Sequence, residues 1–169
     1  MVVDNGLLHP LLIEDSIQRN ARECAVGTYF RKAQRGKIRW RLLDAEGRVL
    51  GRLAANAARM MLGKDCPDFS PHEDHRDGVI VINAAKVRLT GKKLDQKFYR
   101  RHSNYPGGLR EISARELLAS KPERMVREAI VGMLPKSRLG DRMAARVKVY
   151  AGPTHPHTAQ DPEPVTTDR

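Results

Sequence analysis

The hydrophobic and polar positions of residues 38–82 predict a strand, a helix and a second strand. Residues 38–43 alternate apolar and polar side chains, as a half-buried strand does. Residues 50–62 repeat apolar side chains at helical spacing, and Gly63 follows as a natural C-cap. Residues 79–82 are an unbroken β-branched run, which is typical of a strand covered on both faces. This order predicts a βαβ unit with a parallel pair of strands.

The pattern after residue 82 is more broken and predicts shorter elements. Pro122 suits the first turn of a helix, and Pro135 would end that helix. The segment from Pro153 onward is rich in Pro and Thr, so we expect it to contact a partner or to remain mobile. The expected elements are a strand at 87–89, a turn at 90–93, a basic segment with aromatic side chains at 97–102, a glycine-rich loop at 104–108, helices at 114–120, 122–131 and 139–145, and a strand at 147–150.

These elements predict a single α/β domain around a small, mostly parallel sheet. We expect the domain to occupy residues 28–152, with an extended C-terminal tail at 153–169. Residues 1–27 are interpreted as an N-terminal extension, because nothing in them indicates a contribution to a core. Two explanations of the extension stay open, a mobile appendage or translation from an upstream start codon.

The net charge of +11 indicates a polyanionic partner. The ends do not carry it: residues 1–27 and 153–169 each have a net charge of −2, which leaves +15 for residues 28–152. The sequence contains no apolar run of the roughly 18–20 residues needed to span a bilayer, and its two cysteines form no CxxC motif. We therefore expect a nucleic-acid-binding protein of the reducing cytoplasm, with no membrane partner.

Signals for catalysis are weak throughout the chain. Gly91-Lys92-Lys93 lacks the second glycine and the hydroxyl of a phosphate-binding loop, and no GxGxxG motif occurs. The histidine pairs 72/75 and 155/157 do not supply the three convergent ligands of a zinc site. No serine lies in a GxSxG setting. The sequence thus predicts no enzyme, no cofactor, no metal and no small-molecule substrate.

Two basic clusters favour RNA as the partner. The first has one acidic residue, Asp95, in a fourteen-residue span, and aromatic rings that could stack on unpaired bases lie within or beside it. The first cluster consists of Arg88, Lys92, Lys93, Lys97, Arg100 and Arg101, interleaved with Phe98, Tyr99, His102 and Tyr105, and the second consists of Lys136, Arg138, Arg142, Arg146 and Lys148.

An ordered series of motifs resembles one known family. The segment Ile130-Val-Gly-Met-Leu-Pro-Lys136, followed by Val147-Lys-Val-Tyr-Ala-Gly152, is similar to the signature of the bacterial-type ribosomal protein L-thirteen family of the large subunit. Other motifs follow the family's order between residues 28 and 165: the segment from Trp40 to Ala54, Gly63-Lys64, Asp77 to Ala84, Val87 to Gly91, Lys121 to Arg124, and His155-Pro-His157. The extension 1–27 and Asp141 depart from the family pattern.

The resemblance implies a three-layer α/β/α domain that binds large-subunit rRNA and supports early subunit assembly and translation. The implied partners are this rRNA and neighbouring large-subunit proteins, in a cytoplasmic ribosome in preference to an organellar one. A nucleic-acid-modifying enzyme and an adaptor that regulates an mRNA stay open as alternatives. The RNA-contacting residues that we predict are Arg52, Lys64, Arg88, Lys92, Lys93, Lys97, Arg100, Arg101, His102, Lys136, Arg138, Arg142, Arg146, Lys148, His155 and His157.

Overall fold

The structure is a computed structural model that describes residues 38–67 and 69–165. The prediction of an N-terminal extension at 1–27 lies outside the described residues.

The predicted βαβ unit is confirmed. Strand β1 is Arg39–Asp44, helix α1 is Leu50–Leu62 and strand β2 is Asp77–Ile82. The two strands are parallel, with Arg39 paired to Asp77 at one end and Asp44 paired to Ile82 at the other. Helix α1 ends at Gly63, whose φ of +75° is the left-handed C-cap conformation that glycine adopts without strain.

Two short strands complete a four-stranded parallel sheet. Strand β5, Val147–Val149, pairs with β2, and strand β6, Glu163–Pro164, pairs with β1. The strand order is therefore β5-β2-β1-β6. The α/β fold class with a mostly parallel sheet flanked by helices is confirmed.

The segment between β2 and β5 contributes a hairpin and four helices. The hairpin consists of β3, Phe98–His102, and β4, Leu109–Ser113, which pair antiparallel in a sheet of their own. Ser113 caps the helix that follows β4, because its hydroxyl accepts a hydrogen bond from the Glu116 amide at 3.2 Å. The helices are α2, Lys93–Gln96, α3, Ala114–Ser120, α4, Pro122–Met133, and α5, Arg138–Ala145.

The core lies between the sheet and helices α1, α3 and α4. Helix α1 presents alanines 54, 57 and 58 among its buried residues, and small side chains let neighbouring elements approach closely. The central strand β2 is buried over its first five residues, in agreement with its continuous β-branched run. Burial of this apolar face, at about 25 cal/mol per Å², is the main term that stabilises the domain.

Three predictions about elements need correction. The strand expected at 87–89 is a single parallel bridge between Arg88 and Val49, after which Gly91 turns the chain at a φ of +62°. Neither hairpin strand was predicted, because the residues of β3 and β4 are mostly exposed and show no clean alternation of apolar and polar side chains. The tail is not simply a partner-binding or mobile segment, since its residues 163–164 form β6 and the Val165 amide bonds to the Leu42 carbonyl at 2.9 Å.

Candidate nucleic-acid interface

The β3–β4 hairpin carries much of the first basic cluster on an exposed ribbon. On one face, Tyr99 and Ile112 pair across the strands and are half-buried against the core. Further out on the same face, Arg101 lies directly opposite Arg110. Like charges at directly opposed positions destabilise a hairpin. The pair therefore does not stabilise the hairpin itself. An anion bound between the two arginines would relieve their repulsion.

The other face of the hairpin combines charge with exposed apolar surface. Arg100 pairs across the strands with Glu111 at 2.5 Å, so its charge is partly neutralised. Phe98 is 47% exposed and Leu109 is 56% exposed on this face, and Tyr105 at the hairpin tip is 75% exposed. These rings and the Leu109 side chain can contact bases or sugars, while the predicted contact His102 is exposed at the end of β3.

A cleft next to the hairpin brings together three more residues of the first cluster. Arg88, Lys93 and Lys97 line it, together with parts of α1 and α4, and its volume is about 600 Å³. The Nζ atom of Lys93 lies 3.2 Å from the Thr90 hydroxyl, and that of Lys97 lies 5.0 Å from the centre of the Tyr99 ring. Lys92 is exposed at the N-terminal end of α2.

The second cluster is divided by the fold. Lys136 and Arg138 line a depression of about 380 Å³ at the start of α5, and Arg142 is exposed further along that helix. Lys148 instead lines a separate groove of about 360 Å³ with Arg124 and Arg127. Arg110, Arg124 and Arg127 are not among the RNA-contacting residues predicted from the sequence. Helical spacing from Glu123 onward could have indicated the two arginines of α4, since positions 124 and 127 share a helix face.

The turn before α5 depends on a glycine. A Cβ atom at Gly140 would clash with the carbonyl oxygen of Pro135. The Ser137 hydroxyl accepts a hydrogen bond from the Gly140 amide at 3.4 Å and caps α5. The close approach at Gly140 therefore shapes the segment that exposes Lys136 and Arg138.

Arg146 forms an ion pair within the protein. Two of its guanidinium nitrogens bond to the carboxylate of Asp74, and its Nε lies 3.3 Å from the Asp77 carbonyl. Burial raises the pKa of Asp74, but hydrogen bonds from Arg146 and the Arg76 amide outweigh burial, so the pKa lies below its ordinary value. The side chain of Arg146 is only 14% exposed. We therefore leave Arg146 out of the proposed interface.

A second buried carboxylate lies close to this pair. Asp77 is fully buried, with Arg39 and Arg41 at 3.3 and 3.6 Å from its two oxygens. Neither contact has hydrogen-bond geometry, so these ion pairs only partly compensate for the lost hydration of the carboxylate. Arg41 also contacts Asp65 at 3.2 Å. The arginines at this end of the sheet thus stabilise the fold.

His157 is also part of the fold. Its ring stacks on Trp40 with the centroids 5.9 Å apart and the planes 6° apart, and its Nε2 lies 2.7 Å from the Tyr150 hydroxyl. Trp40 lies against Gly78 of β2, where any Cβ atom would meet its ring. This stack holds the tail on the sheet, so His157 is also left out of the interface. His155 is half-buried, and its Nδ1 accepts a hydrogen bond from the His157 amide at 3.2 Å.

Two predicted residues lie at opposite ends of α1. Arg52 is exposed in the first turn, and Lys64 is exposed just after the C-cap. A helix of 13 residues spans about 20 Å, so the two side chains cannot share one phosphate.

Within residues 38–67 and 69–165, no three His, Cys, Asp or Glu side chains are grouped to hold a metal ion. No helix in that part of the chain is both long and apolar enough to cross a membrane. A parallel α/β domain with exposed basic surfaces on a hairpin, a cleft and two helices has the features of an RNA-binding α/β protein.

Comparison with known proteins identifies the family. The family model described as ribosomal protein L13 matches residues 38–156. The chain therefore belongs to the ribosomal protein L13 family, and the resemblance stated from its motifs is confirmed.

Relatives from several bacteria are similar over most of their length. A large ribosomal subunit protein uL13 from Pelotomaculum thermopropionicum is 61% identical over 138 residues, which cover 81% of this chain and 96% of the relative. Proteins of the same name from Thermotoga maritima and Rubrobacter xylanophilus are 53% and 48% identical, over 79% and 81% of this chain and 90% and 96% of the relatives.

Proposed function

We propose that the protein is a structural constituent of the large ribosomal subunit that binds its rRNA and has no catalytic role. The main observation behind this proposal is that Arg101 and Arg110 lie directly opposite each other on an exposed hairpin. Within the described residues, no carboxylate lies within ion-pair distance of either side chain. Family membership supports the choice of the ribosome, since the curated relatives are named large ribosomal subunit proteins.

The proposed interface consists of basic side chains of the hairpin, the cleft and the start of α5, with others on or next to α1, α2, α4 and β5 and in the tail. Each Lys or Arg that meets a phosphate releases counterions, so affinity should fall with rising salt. Phosphate contacts position the protein without reading sequence, so specificity would come from the shape of folded rRNA and from unpaired bases. The residues are Arg52, Lys64, Arg88, Lys92, Lys93, Lys97, Arg100, Arg101, His102, Lys136, Arg138, Arg142, Lys148 and His155, to which the structure adds Arg110, Arg124 and Arg127.

The finer parts of the proposal concern place and timing. We infer that the protein acts in the cytoplasm, joins the large subunit early in its assembly, and contacts neighbouring large-subunit proteins as well as rRNA. The partly exposed apolar side chains Phe98, Tyr105 and Leu109 support contact with neighbouring molecules, because the described chain leaves about half or more of each uncovered.

Sedimentation tests the proposed function. The tagged full-length chain is expressed in the organism that it comes from. The lysate is washed with high salt and separated on a sucrose gradient. We expect the protein to migrate with large subunits, because many phosphate contacts to folded rRNA together resist the wash. Folded, intact protein at the top of the gradient would contradict the proposal and favour an adaptor that regulates an mRNA.

A further inference from the structure

The cleft between α1 and α4 has the size and composition of a ligand site. Its volume of about 600 Å³ lies within the range of about 300–1,000 Å³ that is usual for small-molecule sites. Its apolar lining comes from Val49, Leu50, Leu89, Ala129 and Met133. Met133 at the rim of this lining is 45% exposed, so its side chain adds accessible apolar surface.

The polar lining of the cleft is cationic. Arg88, Lys93 and Lys97 line it against one acidic residue, Glu128. Glu128 is already paired with the Arg124 Nε at 2.6 Å, so it does not neutralise the three cations. Thr90 and Gln96 add neutral groups that can donate or accept hydrogen bonds.

We propose that this cleft holds one unpaired nucleotide of RNA. The base lies on the apolar floor, its edge meets Thr90 or Gln96, and the phosphate lies among Arg88, Lys93 and Lys97. This inference rests on the proposed function, since it names how rRNA would use a particular part of the surface. An unstacked base has two apolar faces and a polar edge, and it is always attached to an anion, which matches the two kinds of lining.

Charge and position favour a nucleotide over an apolar side chain of another protein. An apolar side chain alone would leave the three cations around it without an anionic partner. The cleft is also continuous with the basic hairpin, because Lys97 immediately precedes β3 and its carbonyl accepts a hydrogen bond from the Ala114 amide at 2.8 Å. Because Lys97 lines the cleft and adjoins the hairpin, one strand of RNA can contact both.

Two glycines allow the cleft to be filled without a change in charge. Gly132 of α4 and Gly51 of α1 both line it, and a Cβ atom at either position would meet no other atom within 4 Å. Gly132→Leu and Gly51→Leu should therefore fold while they occupy the space of the base. Ala55→Leu is the matched control, because Ala55 is an exposed position of α1 that does not line the cleft.

The test measures the affinity of each full-length variant for protein-free large-subunit rRNA at several salt concentrations. We expect Gly132→Leu and Gly51→Leu each to weaken binding by about tenfold, the usual size of one lost base-stacking contact. The dependence of affinity on salt should stay as in the wild type, because no cation is lost. Ala55→Leu should bind as the wild type does, and circular dichroism checks that all variants are folded.

The outcomes separate this inference from the proposed function. If the wild type does not bind rRNA, the proposed function fails first. If the wild type binds rRNA and both cleft variants bind equally well, the function stands and the nucleotide site is wrong. If those variants keep their rRNA affinity but no longer sediment with large subunits, the cleft holds part of a protein, and the inference is overturned.

Discussion

At the scale of single residues, the basic side chains differ in whether a carboxylate of the fold meets them. Arg146 and Arg142 are four positions apart, yet Arg146 is held by Asp74 and Arg142 is exposed. Both oxygens of Asp74 bond to Arg146, and together with burial this fixes the guanidinium between the start of β2 and the end of α5. An arginine so placed contributes to the fold, and its charge is already met by a carboxylate.

The Arg146–Asp74 pair should make stability depend on pH. The pKa of Asp74 in the folded state lies below the ordinary value of 3.8, so the unfolded chain binds its proton more tightly. The contribution is therefore complete above pH 3.8 and is lost as the pH falls below that value. We expect Arg146→Met to lower the free energy of unfolding by about 1–3 kcal/mol at pH 7. Urea denaturation measures it, and the loss should shrink near pH 3.

Arg142→Met is the control for this experiment. Exposed substitutions of this kind usually change the free energy of unfolding by less than about 0.5 kcal/mol. Equal stability of Arg146→Met and Arg142→Met at pH 7 would contradict the structural role of Arg146.

Two helical glycines should respond in opposite directions to alanine. A Cβ atom at Gly140 would clash with the Pro135 carbonyl, whereas one at Gly132 would meet nothing. We expect Gly140→Ala to cost about 1–3 kcal/mol of the free energy of unfolding, because backbone atoms must move. Gly132→Ala should gain about 0.5–1 kcal/mol from helix propensity. Denaturation followed by circular dichroism measures both, and a loss at Gly132 would contradict the open space beside it.

At this scale, the sequence predicts the role of a residue only when the residues that determine the role are close to it in sequence. The exposed cations of the first cluster are neighbours in sequence, so their common surface could be predicted. The partner of Arg146 is 72 positions away, and His157 stacks on Trp40 from the other end of the domain. No short-range pattern indicates such contacts, which is why both residues were predicted to contact RNA.

At the scale of elements, the sequence predicts the buried strands and helices but not the exposed or very short strands. The strands β1 and β2 and the helix α1 could be predicted, because β1 alternates apolar and polar side chains, β2 is a continuous β-branched run and α1 repeats apolar side chains at helical spacing. Strand β4 is largely exposed and β6 has only two residues, so neither produces such a period. Both are defined by pairing with another strand: β4 pairs with β3, and β6 pairs with β1 from the far end of the chain.

At the scale of the whole molecule, the basic side chains form two groups: one is paired with acidic residues of the fold, and the other is exposed and mostly unpaired. One set of arginines, which includes Arg39, Arg41 and Arg146, is paired with acidic residues at one end of the parallel sheet. The exposed set on the hairpin, the cleft and the start of α5 is mostly outside such pairs. The positive charge is therefore divided between a paired set at one end of the sheet and a largely unpaired set on the rest of the surface.

This separation predicts how binding to rRNA depends on salt. Changing Lys92, Lys93, Arg100 and Arg101 together to Ala removes four exposed cations from the hairpin, the cleft and the N-terminal end of α2. Each phosphate contact contributes about 0.7–0.9 to the slope of log affinity against log salt, so the slope should become shallower by about 3. Titration of protein-free large-subunit rRNA at several salt concentrations measures it.

The control changes Arg59, Lys86, Arg115 and Lys121 to Ala, which alters net charge equally at other exposed positions. Equal slopes for the two folded variants would mean that net charge alone, and not the hairpin surface, binds the RNA.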